Sequence, residues 1–481
     1  MYLGIDIGTS GVKALLLNEH HQVIGSCSQP LEVMRPKALW SEQNPDHWLE
    51  ATAKALDALC ALYPTQLAQV SGIGLSGQMH GAVLIDTQDK PLRPCILWND
   101  GRSQEQCETL SSLANFEAIT GNLVMPGFTA PKIKWVEENE PHIFSKIHKV
   151  LLPKDYVRLW LTGTYATDLS DASGTLWLNV SKRDWSDTLL EATGLSRAHM
   201  PDLYEGNAVT GVLRKELAQR FGMANVIVAG GGGDNAASAC GMGVVEPNQG
   251  FISLGTSGVV FAPSAAPAPN SQQALHSFCH AFDNMWHTMG VTLCAADSLS
   301  WLAKVTHTSV EKMVASLPAQ IERPSEVQFL PYLSGERTPH NNVNARGAFI
   351  GLHRASSHHD LVQAAMEGVA YALTDCLSAI DQDVVPLQSA FVVGGGSSSP
   401  QWLEIIAAAT NIDLLVPDNG DYGAALGAAR LAFAAATGEP INSVCIKPEV
   451  AKVVRPNPRL VEQYQAGYEK FTDTYTRLHG H

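Results

Sequence analysis

Asp234 is the carboxylate that the sequence places best for chemistry. An apolar strand is predicted from Val226 to Ala229, four glycines follow at 230–233, and the small residues after Asp234 predict a helix. Glycines allow close backbone approach, so the carboxylate would stand at a helix N-terminus with backbone close to it on one side. The alternative is that Asp234 only caps its helix. Four consecutive glycines are costly for a simple cap.

The pentapeptide Gly-Thr-Ser-Gly-Val occurs twice, at residues 8–12 and 255–259, each time after an apolar run. Each copy predicts a tight turn between two strands, and either alone could be an ordinary hairpin. Two glycine-flanked hydroxyl turns, one in each half, are what a protein needs to hold a polyphosphate between two lobes. Asp6 precedes the first copy and adds a carboxylate there.

Gln78, Met79 and His80 follow a predicted strand and lie between glycines, where binding groups are commonly displayed. The alternative is a turn with a solvent-exposed histidine. The run from Trp98 to Arg102 could stack on and hydrogen-bond a polyol, or it could be a turn anchored by the tryptophan. The polar run from Asp168 to Thr175 predicts a loop, either lining a cleft or on the surface.

The elements that position these residues are also predicted from local pattern. Residues 1–33 predict a three-stranded meander, and Asn44 followed by Pro45 predicts a helix start. A strand from Ala390 to Val393 ends in Gly394–Gly396, which could let a purine or its ribose lie against bare backbone. Small residues from Tyr422 to Ala429 predict a helix that packs close to neighbouring backbone.

Composition excludes several classes of function. With 481 residues the chain is long enough for two to four domains, and the net charge of −15 argues against nucleic acid as a partner. No run of about 18 apolar residues predicts a membrane span, and the start shows no signal-peptide pattern. The nine cysteines are scattered, so we expect free thiols in the cytoplasm.

Over essentially its whole length the chain resembles the FGGY carbohydrate kinases. The most specific segments of the resemblance are residues 4–13, 77–81, 97–102, 231–236 and 333–339. The resemblance implies an α/β fold of two ribonuclease H-like or actin-like lobes, each a mixed β-sheet flanked by helices, with a cleft between them. One lobe would span residues 1–245 and the other 246–481. The duplicated turn fits that internal symmetry independently.

The resemblance also implies an ATP-dependent sugar kinase. The Gln-Met-His loop is similar to that of members acting on D-xylulose rather than on glycerol. ATP and Mg²⁺ would be the cofactors, and by analogy alone a homodimer is an option. Three serines and Pro400 follow Gly396 and depart from the family pattern, which leaves purine contacts beyond the glycines open.

Roles carry over residue by residue from that resemblance. Asp234 would be the catalytic base, and Asp6 would hold Mg²⁺ directly or through water. The expected sugar-binding residues are Met79, His80 and Asp234, with Gln78 and Asn235 as weaker candidates. The expected ATP-binding residues are Thr9, Ser10, Lys13, Gly255, Thr256, Gly395 and Gly396.

Three other interpretations remain open from the residues themselves. A conformational ATPase would need an appended domain or a polymerisation surface, for which no surplus length is obvious. A dinucleotide oxidoreductase should send its first strand into a helix, whereas a hairpin is predicted here. Sister kinases for ribulose, fuculose, gluconate or glycerol differ by a few polyol-facing residues, and the sequence does not separate them.

Overall fold

The computed structural model describes residues 1–418 and 423–480, which form two seven-stranded mixed sheets and smaller two-stranded ones. In the first half the strands are β1 Tyr2–Ile7, β2 Gly11–Leu17, β3 Val23–Pro30, β4 Glu42–Gln43, β5 Gly72–Gly77, β6 Val83–Ile85, β7 Cys95–Ile96, β8 Lys149–Leu151, β9 Ala166–Asp168, β10 Leu178–Asn179, β11 Asp184–Trp185, β12 Asp202–Tyr204, β13 Val209–Val212, β14 Ile227–Ala229 and β15 Gly232–Gly233. Its helices are α1 Pro45–Leu62, α2 Pro64–Leu67, α3 Gln104–Leu113, α4 Phe116–Thr120, α5 Thr129–Asn139, α6 Pro141–Phe144, α7 Pro153–Thr162, α8 Leu169–Ser173, α9 Asp187–Ala192, α10 Lys215–Arg220 and α11 Asp234–Met242.

The second half contributes the other large sheet and the C-terminal helix. Its strands are β16 Phe251–Leu254, β17 Gly258–Ser264, β18 His276–Cys279, β19 Trp286–Thr292, β20 Gln328–Leu330, β21 Ala348–Ile350, β22 Ser389–Val393, β23 Asp413–Pro417 and β24 Val450–Val454. Its helices are α12 Ala296–Val305, α13 Val310–Ser316, α14 His358–Ser378, α15 Pro400–Thr410, α16 Ala424–Thr437, α17 Ile441–Val444 and α18 Pro458–His479.

The two large sheets share one strand plan. In the first, β1, β2 and β3 form an antiparallel meander, and β1 continues into the parallel neighbours β5 and β14. In the second, β16, β17 and β19 are antiparallel, and β16 continues into the parallel neighbours β22 and β23. The two Gly-Thr-Ser-Gly-Val turns occupy equivalent positions, between the first two strands of each sheet. The predicted duplication and the predicted meander are both confirmed.

Local signals at element ends are confirmed as well. The side chain of Asn44 accepts a hydrogen bond from the backbone N–H of Asp46, and Pro45 is the first residue of α1. The turn after β1 is closed by the Gly8 N–H, which donates to the Gly11 carbonyl at 2.9 Å. Because β1 enters a hairpin and not a helix, the dinucleotide-binding fold is excluded.

Helix α16 crosses from the second half of the sequence onto the first sheet. A Cβ atom at Gly4 would lie 1.8 Å from the Ala425 carbonyl oxygen, and one at Gly74 would lie 1.9 Å from that of Ala428. The helix backbone therefore rests directly on the sheet, as its small residues predict. Tyr422, where the predicted helix starts, lies outside the described residues.

Within the two described ranges, no helix combines the length and apolar character needed to cross a membrane. The nine cysteines are all free thiols, seven of them buried. Apolar cores lie on the helix-covered faces of both large sheets.

Gly74→Ala tests the approach of α16. The added methyl would displace a helix backbone, so we expect a loss of about 2–4 kcal/mol in unfolding free energy. Gly101→Ala is the matched control, because its Cβ would meet its nearest neighbour at an ordinary 3.5 Å. Urea midpoints of both variants give the measurement. A Gly74→Ala protein as stable as the control would contradict the close contact.

Candidate active site

Three strand ends of the first sheet bring the predicted catalytic residues to one edge. Asp6 on β1 is opposite Ser76 on β5, and Ser76 is opposite Gly232 on β15, with all three strands parallel. The carboxyl ends of parallel strands meet at the same sheet edge, where ligands bind in α/β proteins. Asp6 and Asp234 therefore share this edge. The Ser76 hydroxyl donates to Asp6 Oδ1 at 2.8 Å and orients that carboxylate.

Asp234 is a carboxylate with a raised pKa. Burial, and secondarily the negative charge of Asp6, raise the pKa of Asp234 from its usual value to about 7. The backbone N–H of Asn235 donates to Asp234 Oδ1 at 2.7 Å, and its side-chain amide at 3.0 Å. A carboxylate with this pKa accepts a proton readily near neutral pH.

The run of glycines before Asp234 is required because a side chain there would clash with neighbouring backbone. A Cβ atom at Gly231 would lie 1.9 Å from the Leu75 carbonyl oxygen, and Gly231 has a φ of 75°. The cap of α11 is Gly233, with no side-chain cap hydrogen bond, and Asp234 is the first residue of the helix. Asp234 is therefore not the N-cap residue of α11, although its carboxylate accepts from the Asn235 N–H in the first turn. The glycines let the strand end lie against β5 and deliver the carboxylate to the edge.

His80 is held in an unusual conformation by its neighbours. Its φ is 69°, in the left-handed region, and its carbonyl oxygen accepts bonds from Lys132 Nζ at 2.8 Å and Thr129 Oγ1 at 3.1 Å. Non-glycine residues in this region cluster at functional sites. The ring contacts Phe128 with centroids 4.8 Å apart. The solvent-exposed turn considered from the sequence is therefore wrong.

The protonation state of His80 follows from its partners. Burial lowers the pKa of His80 to about 3, so the ring is neutral. Nδ1 lies 2.6 Å from the Gly174 carbonyl, which only accepts, so Nδ1 carries the proton. Nε2 is then an acceptor for a hydroxyl group. Met79 is buried beside it and contacts the Asp234 turn, since a Cβ at Gly233 would lie 3.0 Å from Met79 Sδ.

Gln78 holds the first Gly-Thr-Ser-Gly-Val turn, at residues 8–12, in place. Thr9 Oγ1 donates to Gln78 Oε1 at 3.0 Å, and Gln78 Nε2 donates to Gln43 Oε1 at 2.8 Å. The Gln43 amide in turn donates to the Thr9 carbonyl at 2.7 Å. Both ends of the Gln78 amide are thus engaged by protein, which fits a positioning role better than a direct sugar contact. Lys13 stands opposite Asp6 in the hairpin register, and Ser10 is exposed at the turn.

The segment after Trp98 is mainly a structural turn. Asp100 accepts from the Ser41 N–H and pairs with Arg102, whose guanidinium also pairs with Glu42 at 2.7 Å. Arg102 lies 3.6 Å from the centroid of the Trp40 ring. Trp98 alone of this run reaches the site, donating from Nε1 to Thr9 Oγ1 at 3.0 Å.

The second glycine turn lies beside the other predicted glycine loop. A Cβ at Gly394 would be 2.7 Å from the Leu254 carbonyl oxygen, so residues 394–396 sit against the turn at Gly255. The carbonyls of Gly255 and Thr256 accept from Ala296 and Ala295 at the start of α12. These contacts place Gly255, Thr256, Gly395 and Gly396 in one group.

Two cavities flank this group. One of about 450 Å³ lies between the halves and is lined by Asn235, Ser253, Gly394, Ser397, Ser398 and Asp418, among others. Another, of about 390 Å³, is lined by Gly395, Gly396, Pro400, Trp402, Ala296 and Leu299 among others. The larger of these two cavities therefore joins Asn235, next to Asp234, to the glycine loop that follows β22.

Residues 168–175 were not recognised from the sequence. The predicted loop is wrong: the segment is the end of β9 and helix α8, and every residue from Asp168 to Thr175 is buried. Its polar residues form an ion cluster, because Lys154 Nζ lies 2.7 Å from Asp155, 2.8 Å from Asp168 and 3.2 Å from Asp171. Charges inside the otherwise apolar helix α7 were the signal that could have revealed it.

The buried cluster holds the glycine turn of Asp234. Ser170 Oγ donates to Asp168 and accepts from the Gly233 N–H at 3.0 Å. Arg158 donates to the Ala229 carbonyl at 2.6 Å and to the Gly230 carbonyl. Both ends of the turn are thus tied to one set of buried charges. These residues position Asp234 without reaching the cleft edge themselves.

The N-terminal domain of the FGGY family of carbohydrate kinases matches residues 1–241, and its C-terminal domain matches residues 250–436. The chain belongs to the FGGY family of carbohydrate kinases. A protein named xylulose kinase from Escherichia coli (strain K12) is 48% identical over 481 residues, which cover 100% of this chain and 98% of that protein. One of the same name from Klebsiella pneumoniae is 47% identical, covering 99% of both.

Solved structures agree with the fold. A crystal structure described as a xyloylose kinase from Brucella ovis superposes with a TM-score of 0.98 at 50% identity, covering 99% of each chain. A gluconate kinase structure from Lactobacillus acidophilus reaches a TM-score of 0.91 at 22% identity, covering 99% of this chain and 97% of that one. The two-lobed actin-like fold is therefore established, and the chain is a carbohydrate kinase. Family membership excludes the purely conformational ATPase.

The donor set at the sheet edge fits Mg²⁺. In the described ranges no three His, Cys, Asp or Glu side chains cluster as a protein cage for a metal. Mg²⁺ is commonly held by one or two carboxylates together with substrate phosphates and water. Asp6, oriented by Ser76 and close enough to Asp234 to influence its charge, offers such a carboxylate.

Lys154→Met tests the buried cluster. Removing the cation would leave three buried carboxylates without their shared partner, so we expect a loss of about 3–5 kcal/mol in unfolding free energy. Lys182→Met, an exposed substitution, is the control. Chemical unfolding of both variants at pH 7 gives the measurement. Equal stability of the two variants would refute the role of Lys154.

Proposed function

We propose that this chain transfers the γ-phosphoryl group of ATP to the C5 hydroxyl of D-xylulose, giving D-xylulose 5-phosphate in pentose catabolism. The observation that carries the proposal is Asp234, a carboxylate with a pKa of about 7 that lies beside the Met79–His80 loop, while its neighbour Asn235 shares a cavity with Gly394. The names of the full-length relatives support D-xylulose as the acceptor.

Phosphoryl transfer needs positioning and charge neutralisation more than covalent chemistry, because its transition state is loose. Asp234 accepts the proton of the sugar hydroxyl as the new P–O bond forms. Asn235 holds that carboxylate, and the neutral His80 accepts a hydrogen bond from another hydroxyl through Nε2. Met79 supplies an apolar wall between the two.

The nucleotide is proposed to lie between the two halves. Thr9, Ser10 and Lys13 would face the β and γ phosphates, with Gly255 and Thr256 on the other side and Gly395 and Gly396 beside the adenosine. Backbone N–H groups of such glycine turns bind phosphate oxygens. Mg²⁺ held by Asp6 would supply positive charge to the phosphates. Exclusion of water between the halves would limit futile hydrolysis of ATP.

The free thiols fit the proposed cytoplasmic location, where glutathione keeps cysteines reduced. A homodimer stays a prediction from family analogy. Fold alone does not select the sugar, since structures described as xylulose, gluconate and glycerol kinases share it.

A substrate panel tests the acceptor. Purified protein with Mg-ATP is assayed for ADP release with D-xylulose, L-ribulose, L-fuculose, gluconate, glycerol and no sugar. We expect kcat/KM for D-xylulose to exceed that for each other sugar by at least about tenfold, because a few hydrogen bonds of matched geometry discriminate strongly. A larger value for another sugar would assign the chain to a sister kinase. Hydrolysis indifferent to sugar would reject the acceptor altogether.

Asp234→Asn tests the base. Loss of the proton acceptor should lower kcat by about 100- to 10,000-fold while the Kd for ATP stays within about threefold. In the wild type, kcat/KM should rise with pH through about 7 and level off above it, because the base must be ionised. Asp383→Asn, an exposed carboxylate, is the control. Near-normal turnover of Asp234→Asn would overturn the assignment.

A further inference from the structure

Arg337, in the second half of the chain, follows a residue whose side chain is fixed by several hydrogen bonds. The preceding residue, Glu336, is buried and accepts bonds from Thr292 Oγ1 at 2.5 Å and from the Leu293 N–H at 2.9 Å. The Arg337 N–H also donates to Glu336 Oε1 at 2.7 Å. The side chain of Arg337 therefore starts from a fixed position.

The guanidinium of Arg337 differs from those of Arg102, Arg158 and Arg183. Arg102, Arg158 and Arg183 each pair with a carboxylate. Among residues 1–418 and 423–480, no carboxylate pairs with Arg337, and its contact is His276 Nε2 at 3.5 Å. Burial lowers the pKa of Arg337, and the charge of the adjacent Glu336 acts in the opposite direction. A donor group of this kind is suited to an oxygen-rich ligand.

Arg337 lies beside a cluster of aromatic rings, formed by His276, Phe278 and Phe128, that contacts His80. The His276 ring packs on Phe128 and Phe278 with centroids 5.5 Å apart in each case, and Phe128 packs on His80 at 4.8 Å. The charge of Arg337 acts on both histidines, whereas the charge that acts on Asp234 is that of Asp6. Arg337 thus belongs to the His80 side of the site, away from the base.

We propose that Arg337 is a sugar-binding residue contributed by the second half, and that its guanidinium donates to the ketone oxygen of the acceptor. This rests on the proposed function. The hydroxyl to be phosphorylated must face Asp234, so the rest of the sugar faces the His80 side. Nε2 of His80 accepts and therefore takes a hydroxyl, while arginine only donates. The one acceptor-only group of an open-chain ketose is its carbonyl oxygen, which matches Arg337.

Arg337→Met tests this assignment with two ligands that differ only at the carbonyl. D-xylulose carries a ketone where xylitol carries a hydroxyl. We measure KM for D-xylulose and the competitive Ki of xylitol, with the Kd for ATP alongside. Loss of a charged hydrogen bond should raise KM for D-xylulose by about 10- to 100-fold. The Ki of xylitol should change far less, so the preference of the protein for the ketose should collapse.

Controls separate this proposal from the proposed function. Arg354→Met, an exposed arginine, should leave all three constants unchanged. Arg337→Lys keeps the charge without the planar fork, so its KM should lie between those of the wild type and Arg337→Met. It provides a second test of the proposal if the methionine variant folds poorly. Equal losses for both ligands, or a KM within about threefold of wild type, would overturn the proposal while leaving the kinase intact. Wild type inactive on D-xylulose and on every other ketose would overturn both.

Discussion

The structure depends on holding two carboxylates, Asp6 and Asp234, at one edge of a parallel strand group. The charge of Asp6 adds to burial in raising the pKa of Asp234 to about 7. Asp6 accepts a hydrogen bond from the Ser76 hydroxyl, and Asp234 accepts one from the Asn235 N–H. Titratable groups with strongly perturbed pKa values cluster at functional sites, and this edge is the candidate site of the chain.

A second set of charges, buried beneath the site, fixes the position of the glycine turn before Asp234. Lys154, Arg158 and three aspartates are fully buried, and such clusters contribute little net stability because desolvation offsets their attraction. What the cluster contributes is the positioning of neighbouring backbone. Through Ser170 and Arg158 they fix both ends of a glycine turn that has no side chains of its own to fix it. A backbone free of Cβ atoms approaches its neighbours closely, and the cluster restricts the freedom that glycine would otherwise have.

Local patterns predicted the strands, the duplicated turn and the position of Asp234, because strand alternation, glycine turns and helix starts are read within a few residues. The buried cluster was missed because polar residues at 168–175 also suit a loop. What buries them are partners distant in sequence, such as Gly233 for Ser170 and Gly230 for Arg158. For the same reason the sequence did not show whether Asp100 and Arg102 form a turn or a binding surface. Their partners Ser41 and Glu42, which make the segment a structural turn, are distant in sequence. The contribution of Arg337 depends on the packing of two halves, which no local pattern contains.

The site is divided between two units that do not follow the midpoint of the sequence. Helix α16 lies on the first sheet and is held to α11 by Arg430, which donates to the carbonyls of Cys240 and Gly241. One unit therefore comprises the first sheet, both carboxylates and a helix from the second half. The other carries the second Gly-Thr-Ser-Gly-Val turn and the glycine loop at 394–396. Asp234 and the turn at Gly255 therefore belong to different units, so the distance between them depends on how the two units are oriented.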